Sequence, residues 1–306
     1  MFLFSRCNIC CIPFSRTLGR RLNSRCYEQG VRRYSVDLAH HVNKGDTSLS
    51  NILIFHGLFG CKSNWATLAK RLTKDTGHTT VTVDTRNHGD SPHTDAMTFD
   101  LMGKDIRSLV VDKLGLSNCI LIGHSMGGKV AMVTSLIEPS LVDKLIVVDS
   151  APRQQRTSGG ESWVMEYINA MLSVKFKENQ SPSEMRKDVD LQLQKTIPED
   201  AVRQFIMKNI RKNNTSFEWQ LNLKALLDNH DDMIGFPEFQ STFPKPTLFV
   251  KGGHSDYILP SDHTEIFRLF PSATIETVEG AGHWVHSEKP NDFLQVVKRF
   301  LANKQE

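Results

Sequence analysis

Short runs of apolar residues recur along the chain from residue 51, and longer amphipathic stretches separate them. The runs have the length of buried strands, whereas the stretches carry apolar residues at the three- and four-residue spacings of a helix. This alternation is typical of βαβ units joined into a mainly parallel sheet. The predicted strands cover 51–55, 79–84, 118–123, 144–149, 246–252 and 273–278, and the predicted helices lie near 64–73, 98–114, 126–137, 261–269 and 291–303.

The alternation of strand and helix patterns breaks between about Pro152 and Pro246. This segment is almost wholly helical in pattern, and it is too long to be a simple connection inside a compact domain. We therefore predict a helical insertion, the cap, that lies over one end of the sheet. The expected division is a core of residues 35–152 and 241–306 with a cap of residues 153–240.

The composition is that of an ordinary globular protein, but the charge is unevenly placed. A chain of 306 residues is long enough for one large α/β domain with an insertion. The net charge is +3, yet residues 1–34 hold seven arginines against one acid, Glu28, which leaves a net charge of −3 for the rest. We expect no nucleic-acid binding by the folded body, because phosphate neutralisation needs a clustered basic surface.

Residues 1–34 read as a mitochondrial presequence. They are rich in Arg and Ser, and they lack the uninterrupted apolar core of a secretory signal. The stretch RRYS at 32–35 resembles the cleavage pattern of the matrix protease, in which an Arg lies two residues before an aromatic residue that a small residue follows. We predict a mature protein that starts near Ser35 in the mitochondrial matrix, with a disordered basic tail as the alternative.

Cysteine use agrees with a reducing compartment. Four of the six cysteines lie in the predicted presequence, and the other two, Cys61 and Cys119, are too few for a disulfide framework. No run of about 18 apolar residues exists, so the sequence predicts no transmembrane segment.

The stretch GHSMGGKVA, residues 123–131, approaches two motifs that serve different chemistries. Read through Lys129 it nearly forms the glycine-rich loop that binds nucleotide phosphates, but that loop needs Ser or Thr next, where this chain has Val130. Read around Ser125 it is a nucleophile elbow, whose glycines relieve crowding in a strained strand-to-helix turn. The elbow explains the stretch better and predicts Ser125 as a nucleophile.

A serine hydroxyl needs a base to take its proton, and the base needs an acid to orient it. His283, in the glycine-rich stretch GAGHWVH after the last predicted strand, is the strongest candidate base, whereas the nearby His286 lacks that glycine setting. Two acids lie between serine and histidine in chain order. They are Asp256, in the loop after the fifth predicted strand, and Asp149, at the end of the fourth, and we slightly favour Asp256.

Backbone amides should stabilise the negative charge of the tetrahedral intermediate. We expect one donor to be the amide of Met126, directly after the nucleophile, and the other to come from the stretch HGLFG at 56–60. Leu58 is the first choice there and Phe59 the second. The stretch DTRNHGDSP at 84–92 is predicted to fix a loop rather than to act in catalysis.

Five stretches of the chain together resemble the α/β-hydrolase superfamily: HGLFG, DTRNHGDSP, GHSMGGKVAM, VVDSAP and AGHWVHSEKP. The resemblance runs from about Leu49 to Leu301 and is closer to mitochondrial members and their bacterial esterase relatives. It implies an α/β fold with a mostly parallel eight-stranded sheet, flanking helices and a helical cap. It also implies hydrolysis of carboxylic esters, and for this group of glycerolipid esters such as mono- and diacylglycerols or of other acyl esters.

The resemblance further implies that no cofactor is needed, that the enzyme acts in the matrix, and that it is linked to lipoate-dependent 2-oxoacid dehydrogenase complexes, which no residue shows independently. Ser125 and His283 fall on the nucleophile and base positions. The superfamily at large matches Asp256 as the acid, whereas the bacterial relatives match Asp149. Thioesterase or acyltransferase activity on the same residues stays open, as does a catalytically silent ligand receptor.

Apolar residues of the predicted cap are candidates for an acyl-binding tunnel, because methionine adapts to irregular apolar ligands. The alternative is that they pack onto the core, as stripes at helical spacing usually do. No metal is expected, since the isolated histidines of the chain lack the paired spacing of a site. The candidate substrate-binding residues are Trp163, Met165, Ile168 and Met171, followed by Phe205, Ile206 and Met207.

Overall fold

The computed structural model describes residues 35–154 and 163–303, and the predicted presequence lies outside them. A seven-stranded sheet runs through this part of the chain in the order β1-β3-β2-β4-β5-β8-β9. Every neighbouring pair is parallel except β1 and β3. The strands are β1 His40–Asn43, β2 Ile52–Phe55, β3 Thr80–Val83, β4 Cys119–His124, β5 Val142–Val148, β8 Thr247–Gly252 and β9 Ala273–Val278.

All six predicted strands are confirmed to within two residues at each end. The implied count of eight is corrected to seven for the main sheet of the described chain. Only β1 precedes β2 there, because residues 35–39 form no strand. No local pattern predicted β1 itself, since its four residues are partly exposed at the sheet edge and do not form an apolar run.

Helices lie on both faces of the sheet and bury it. Every residue of β2 and β4 is buried, as expected for parallel strands covered on both sides. One apolar cluster joins the sheet to α2 and α3, and a second joins the opposite face to α1 and α11. The core helices are α1 Ala66–Thr76, α2 Phe99–Arg107, α3 Met126–Ile137, α9 His263–Leu269, α10 Val285–Glu288 and α11 Pro290–Ala302.

The elements of the predicted cap lie between β5 and β8, and they are not all helical. The segment was predicted to be almost wholly helical, whereas in the structure the helix Asp200–Ile206 is followed by a β-hairpin of the strands Ile210–Asn213 and Ser216–Trp219. Asn214 allows the tight hairpin turn with a φ of 50°, a conformation that asparagine tolerates. The cap elements are α4 Trp163–Leu172, α5 Pro182–Leu193, α6 Asp200–Ile206, β6 Ile210–Asn213, β7 Ser216–Trp219, α7 Leu223–Asp228 and α8 His230–Ile234.

Buried polar contacts fasten the cap to the core near Ser125. The Asn209 side chain donates from Nδ2 to the carbonyl of Phe59 at 2.7 Å. Lys129, one turn along α3 from Ser125, donates to the carbonyls of Ile234 and Gly235 at 2.7 and 2.9 Å. Within residues 35–154 and 163–303, no helix has the length and apolarity that crossing a bilayer requires.

Candidate active site

Ser125 occupies a strained turn between β4 and α3. Its φ and ψ are 53° and −117°, a conformation that few non-glycine residues adopt. A side chain at Gly123 would place Cβ 2.1 Å from the carbonyl oxygen of Gly127, and one at Gly127 would place Cβ 2.5 Å from the carbonyl oxygen of His56. The two glycines therefore allow the close strand-to-helix approach that the sequence predicted.

His283 is bonded to Asp149. Its Nδ1 lies 2.8 Å from Oδ2 of Asp149, a carboxylate with no exposed surface. Asp149 also accepts hydrogen bonds from the amide of Gly252, at 3.0 Å, and from the hydroxyl of Ser255. An ionised carboxylate only accepts hydrogen bonds, so Nδ1 of His283 is the donor and Nε2 is left as the acceptor.

The slight preference for Asp256 as the partner of His283 is corrected. The side chain of Asp256 is exposed, whereas Ser255 beside it bonds Asp149, and Tyr257 stacks on the His283 ring with centroids 3.5 Å apart. The loop after β8 thus turns its alternate residues toward Asp149 and His283 and directs Asp256 to solvent. Sequence reasoning missed Ser255 and Tyr257, because no local pattern marks them.

Ser125 and His283 line the same cavity, which has a volume of about 280 Å³. The Ser125 hydroxyl makes no hydrogen bond with any described residue, so the two side chains share the cavity without a direct bond. His124, the residue before Ser125, donates from Nε2 to the carbonyl of His283 at 2.9 Å. This contact holds the backbone of the histidine loop against the serine turn.

The predicted amide donors lie next to Ser125. Leu58 and Ser125 line the cavity together, and Met126 joins both on a second, smaller recess of about 40 Å³. Over the described chain, the amide N–H groups of Leu58 and Met126 have no hydrogen-bond partner. The turn after β2 is kept compact by a bond from the amide of Gly60 to the carbonyl of Gly57 at 2.9 Å.

Buried histidines surround this site. His56 accepts a hydrogen bond from the amide of Thr85 at Nε2, 3.1 Å away, and its Nδ1 lies 2.8 Å from the carbonyl of Gly57. Burial lowers the pKa of His56, and it lowers the pKa of His124 well below its usual range. These rings are therefore neutral near pH 7, so they do not add positive charge beside His283.

The candidate substrate-binding residues divide into two groups. Trp163 lines the cavity and Phe205 does too, together with Tyr167 and Val202, which the sequence did not single out. Met165 is 38% exposed and is not among the residues that line the cavity. The remaining candidates are buried in the apolar core, where helical stripes usually pack: Ile168, Met171, Ile206 and Met207.

The stretch at 84–92 fixes a loop, as predicted. Oδ1 of Asp84 accepts from the amide of Lys62 at 2.5 Å, and Oδ2 accepts from the amide of Asp90 at 2.9 Å. The buried Arg86 is bonded to Asp105 of α2 at 2.7 Å. The part of the chain that the structure describes contains no cluster of side chains able to hold a metal ion.

A mostly parallel sheet in which a strained serine turn follows a central strand, beside a histidine bonded to a buried carboxylate, defines the class of α/β hydrolases. The family profile described as the alpha/beta hydrolase fold matches residues 51–290. The chain belongs to this family.

Three similar proteins illustrate the relationship. The "sn-1-specific diacylglycerol lipase ABHD11" of Mus musculus is 44% identical over 87% of this chain and 85% of its own length. The "Esterase YbfF" of Escherichia coli is 31% identical over 82% of this chain and 93% of its own length. Among solved structures, a "Marine microorganism esterase" superposes with a TM-score of 0.78 and 34% identity, covering 87% of this chain and all of that one. The chain is a carboxylic ester hydrolase.

Proposed function

We propose that Ser125, His283 and Asp149 form the catalytic triad of this hydrolase. The observation on which the proposal rests is the bond of 2.8 Å between Nδ1 of His283 and the buried Asp149, in a loop that lines the same cavity as Ser125. With Nδ1 protonated, Nε2 takes the proton of Ser125 as the hydroxyl attacks the ester carbonyl. The imidazolium then returns that proton to the leaving alcohol.

The amides of Leu58 and Met126 bind the negatively charged oxygen of the tetrahedral intermediate. Their proposed role is supported by their place beside Ser125 and by the absence of another partner for either amide in the described chain. Collapse of the intermediate leaves an acyl ester on Ser125. Water, activated by His283, then releases the carboxylic acid and restores the serine hydroxyl.

The proposed substrates are acyl esters of glycerol. The similar mouse protein is named a diacylglycerol lipase, and much of the cavity lining is apolar, which suits an alkyl chain. The apolar lining includes Trp163, Val202, Phe205 and Trp284. A cavity of about 280 Å³ is small for a ligand pocket, so part of a long-chain lipid would extend beyond it.

The proposed location is the mitochondrial matrix, based on the arginine-rich, almost acid-free residues 1–34. Those residues fused to a fluorescent protein should direct it to mitochondria, and a fusion with the seven arginines replaced by glutamine should stay outside. Association with a 2-oxoacid dehydrogenase complex rests on the family resemblance alone. Co-sedimentation of the purified chain with such a complex would test it.

Replacement of Ser125 by alanine tests the triad. Ser125→Ala should lower the turnover of p-nitrophenyl esters by roughly 10⁴-fold or more, because no other group can form the acyl-enzyme. A serine-directed fluorophosphonate should label the wild-type protein and not the variant. Ser135→Ala, in the helix that follows Ser125, is the matched control, since that hydroxyl bonds only the carbonyl of Ala131. Retained hydrolysis by the Ser125→Ala protein would refute the proposal.

A further inference from the structure

His286 is a buried imidazole on the cavity that holds Ser125 and His283. The residue is 6% exposed, and its ring stacks on Trp65 with centroids 4.0 Å apart and planes 7° from parallel. The edge of Phe293 closes the packing at 6.3 Å between centroids. Within the described parts of the chain, neither nitrogen of this ring has a hydrogen-bond partner.

A phenylalanine would fill the same space without burying an unpaired polar atom. Burying a polar atom without a partner is unfavourable, and a native structure seldom keeps one without a reason. Nδ1 of His286 is fully enclosed and unpaired, whereas Nε2, which also lacks a partner, is not enclosed. Because the ring lines the cavity, a molecule bound there can supply a partner to Nε2.

The protonation state of His286 limits what that group can be. Burial, followed by the nearby His283, lowers the pKa of His286 to about 3. The ring is therefore a neutral imidazole, with one nitrogen that donates and one that accepts. A hydroxyl can donate or accept, so it pairs with Nε2 in either tautomer of the neutral ring, whereas a carboxylate or phosphate would call for a cation.

Asn64 supplies a second polar group on the same cavity. Its Oδ1 accepts a hydrogen bond from the amide of Cys61 at 2.7 Å, which fixes the orientation of the side chain. Its Nδ2 has no partner among the residues that the structure describes. Asn64 directly precedes Trp65, on which His286 stacks, and all three residues line the same cavity.

The position of these groups relative to His283 assigns them to the alcohol part of the ester. In the proposed mechanism, on which this inference rests, His283 gives its proton to the leaving oxygen, so the alcohol lies on the side of that ring. His286 follows three residues later, and both rings contact His124 with centroids 4.7 and 4.6 Å away. A polar group on the alcohol is thus the part of the substrate closest to His286.

We propose that His286 and Asn64 recognise a free hydroxyl on the alcohol part of the substrate. The substrate class is then a partial ester of a polyol, such as a glyceride that keeps at least one hydroxyl, rather than a fully esterified or simple alkyl ester. The apolar residues of the lining are left for the alkyl chain, and the two polar residues select the alcohol.

The test compares two esters of one acyl chain. 1-Octanoylglycerol carries two free hydroxyls, whereas propyl octanoate has a three-carbon alcohol with none. The wild-type enzyme should prefer the glyceride in kcat/KM, and His286→Phe, which keeps the stack on Trp65, should lower that preference by roughly fivefold or more. Asn64→Asp, which keeps the oxygen that accepts from Cys61, should lower it as well.

The outcomes separate this inference from the proposed function. Fluorophosphonate labelling of Ser125 in the wild type, and in each variant, reports whether the hydrolytic site is formed. A wild-type enzyme that labels but treats both esters alike overturns the role of His286 and Asn64. So does a preference that both labelled variants retain. A wild-type enzyme that neither labels nor hydrolyses either ester refutes the proposed function instead.

Discussion

At the scale of single residues, the two aspartates that follow neighbouring strands differ in the direction of their side chains. Asp149 follows β5 with a φ of 48°, which turns its carboxylate inward toward His283. Asp256 lies in the loop after β8 with its side chain in solvent. Since aspartate and asparagine both tolerate a positive φ, Asn at position 149 can keep the backbone and change only the charge and hydrogen bonding.

Replacing each aspartate by asparagine should therefore separate their roles. Asp149→Asn should lower kcat by roughly 10⁴-fold. The amide oxygen would stay on the N–H of Gly252, so the NH2 group, which only donates, would face Nδ1 of His283 and select the wrong tautomer. Asp256→Asn is the matched control and should change kcat less than twofold. Ester hydrolysis under saturating substrate measures both. Equal, modest losses in the two proteins would contradict a triad with Asp149 as its single acid.

At the scale of elements, the cap helices present two kinds of apolar residue. Phe205 of α6 is half-buried and lines the cavity, with its ring 6.1 Å from that of Trp284. Met171 of α4 has no exposed surface and lies in the main apolar cluster. Helical spacing marks both as apolar positions, but only the crossing of α4 and α6 over the core decides which one faces the cavity.

Substitution of these two residues by alanine should give opposite results. Phe205→Ala should lower kcat/KM for octanoyl esters relative to acetyl esters, because it removes part of the wall that contacts the chain. Met171→Ala should leave that ratio unchanged and lower the free energy of unfolding by about 2–5 kcal/mol, as expected for a buried methionine. Chain-length series and urea unfolding measure the two effects. A changed chain-length ratio in Met171→Ala would contradict this division.

At the scale of the whole molecule, buried neutral histidines link folding to pH. Burial lowers the pKa of His88 and of His286 to about 3, against an ordinary value near 6.5. The unfolded chain therefore binds more protons than the folded chain between these values. The contribution of these two rings to the free energy of unfolding is fully present above pH 6.5. It is lost as the pH drops toward 3, because protons then bind preferentially to the unfolded chain.

The free energy of unfolding should accordingly decrease between pH 7 and pH 5. Each of these two histidines contributes roughly 2 kcal/mol to the decrease, from about 1.4 kcal/mol per pH unit over the interval below 6.5. Urea unfolding at the two pH values measures it. His286→Phe should remove the share of that residue and so give a shallower slope. Equal stability of the wild type at pH 7 and pH 5 would contradict the neutral, buried state of these rings.

The sequence by itself determined the strands of the core, the serine turn and the histidine loop. Parallel strands covered on both faces must be apolar throughout, and a turn as close as that at Ser125 admits only glycine at Gly123 and Gly127. Both requirements can be recognised in the local sequence. The serine turn was therefore predicted at the residue where the structure has it.

Only the tertiary structure decided which aspartate meets His283, that a hairpin follows α6, and which cap residues face the cavity. Asp149 follows β5 and His283 follows β9, 134 residues later, and their contact depends on β8 lying between these two strands in the sheet. The ring of His286 likewise stacks on Trp65, which lies far away along the chain, so its surroundings could not be predicted from the local sequence. Local patterns record which residues are buried, whereas the choice of partner is made when distant segments pack together.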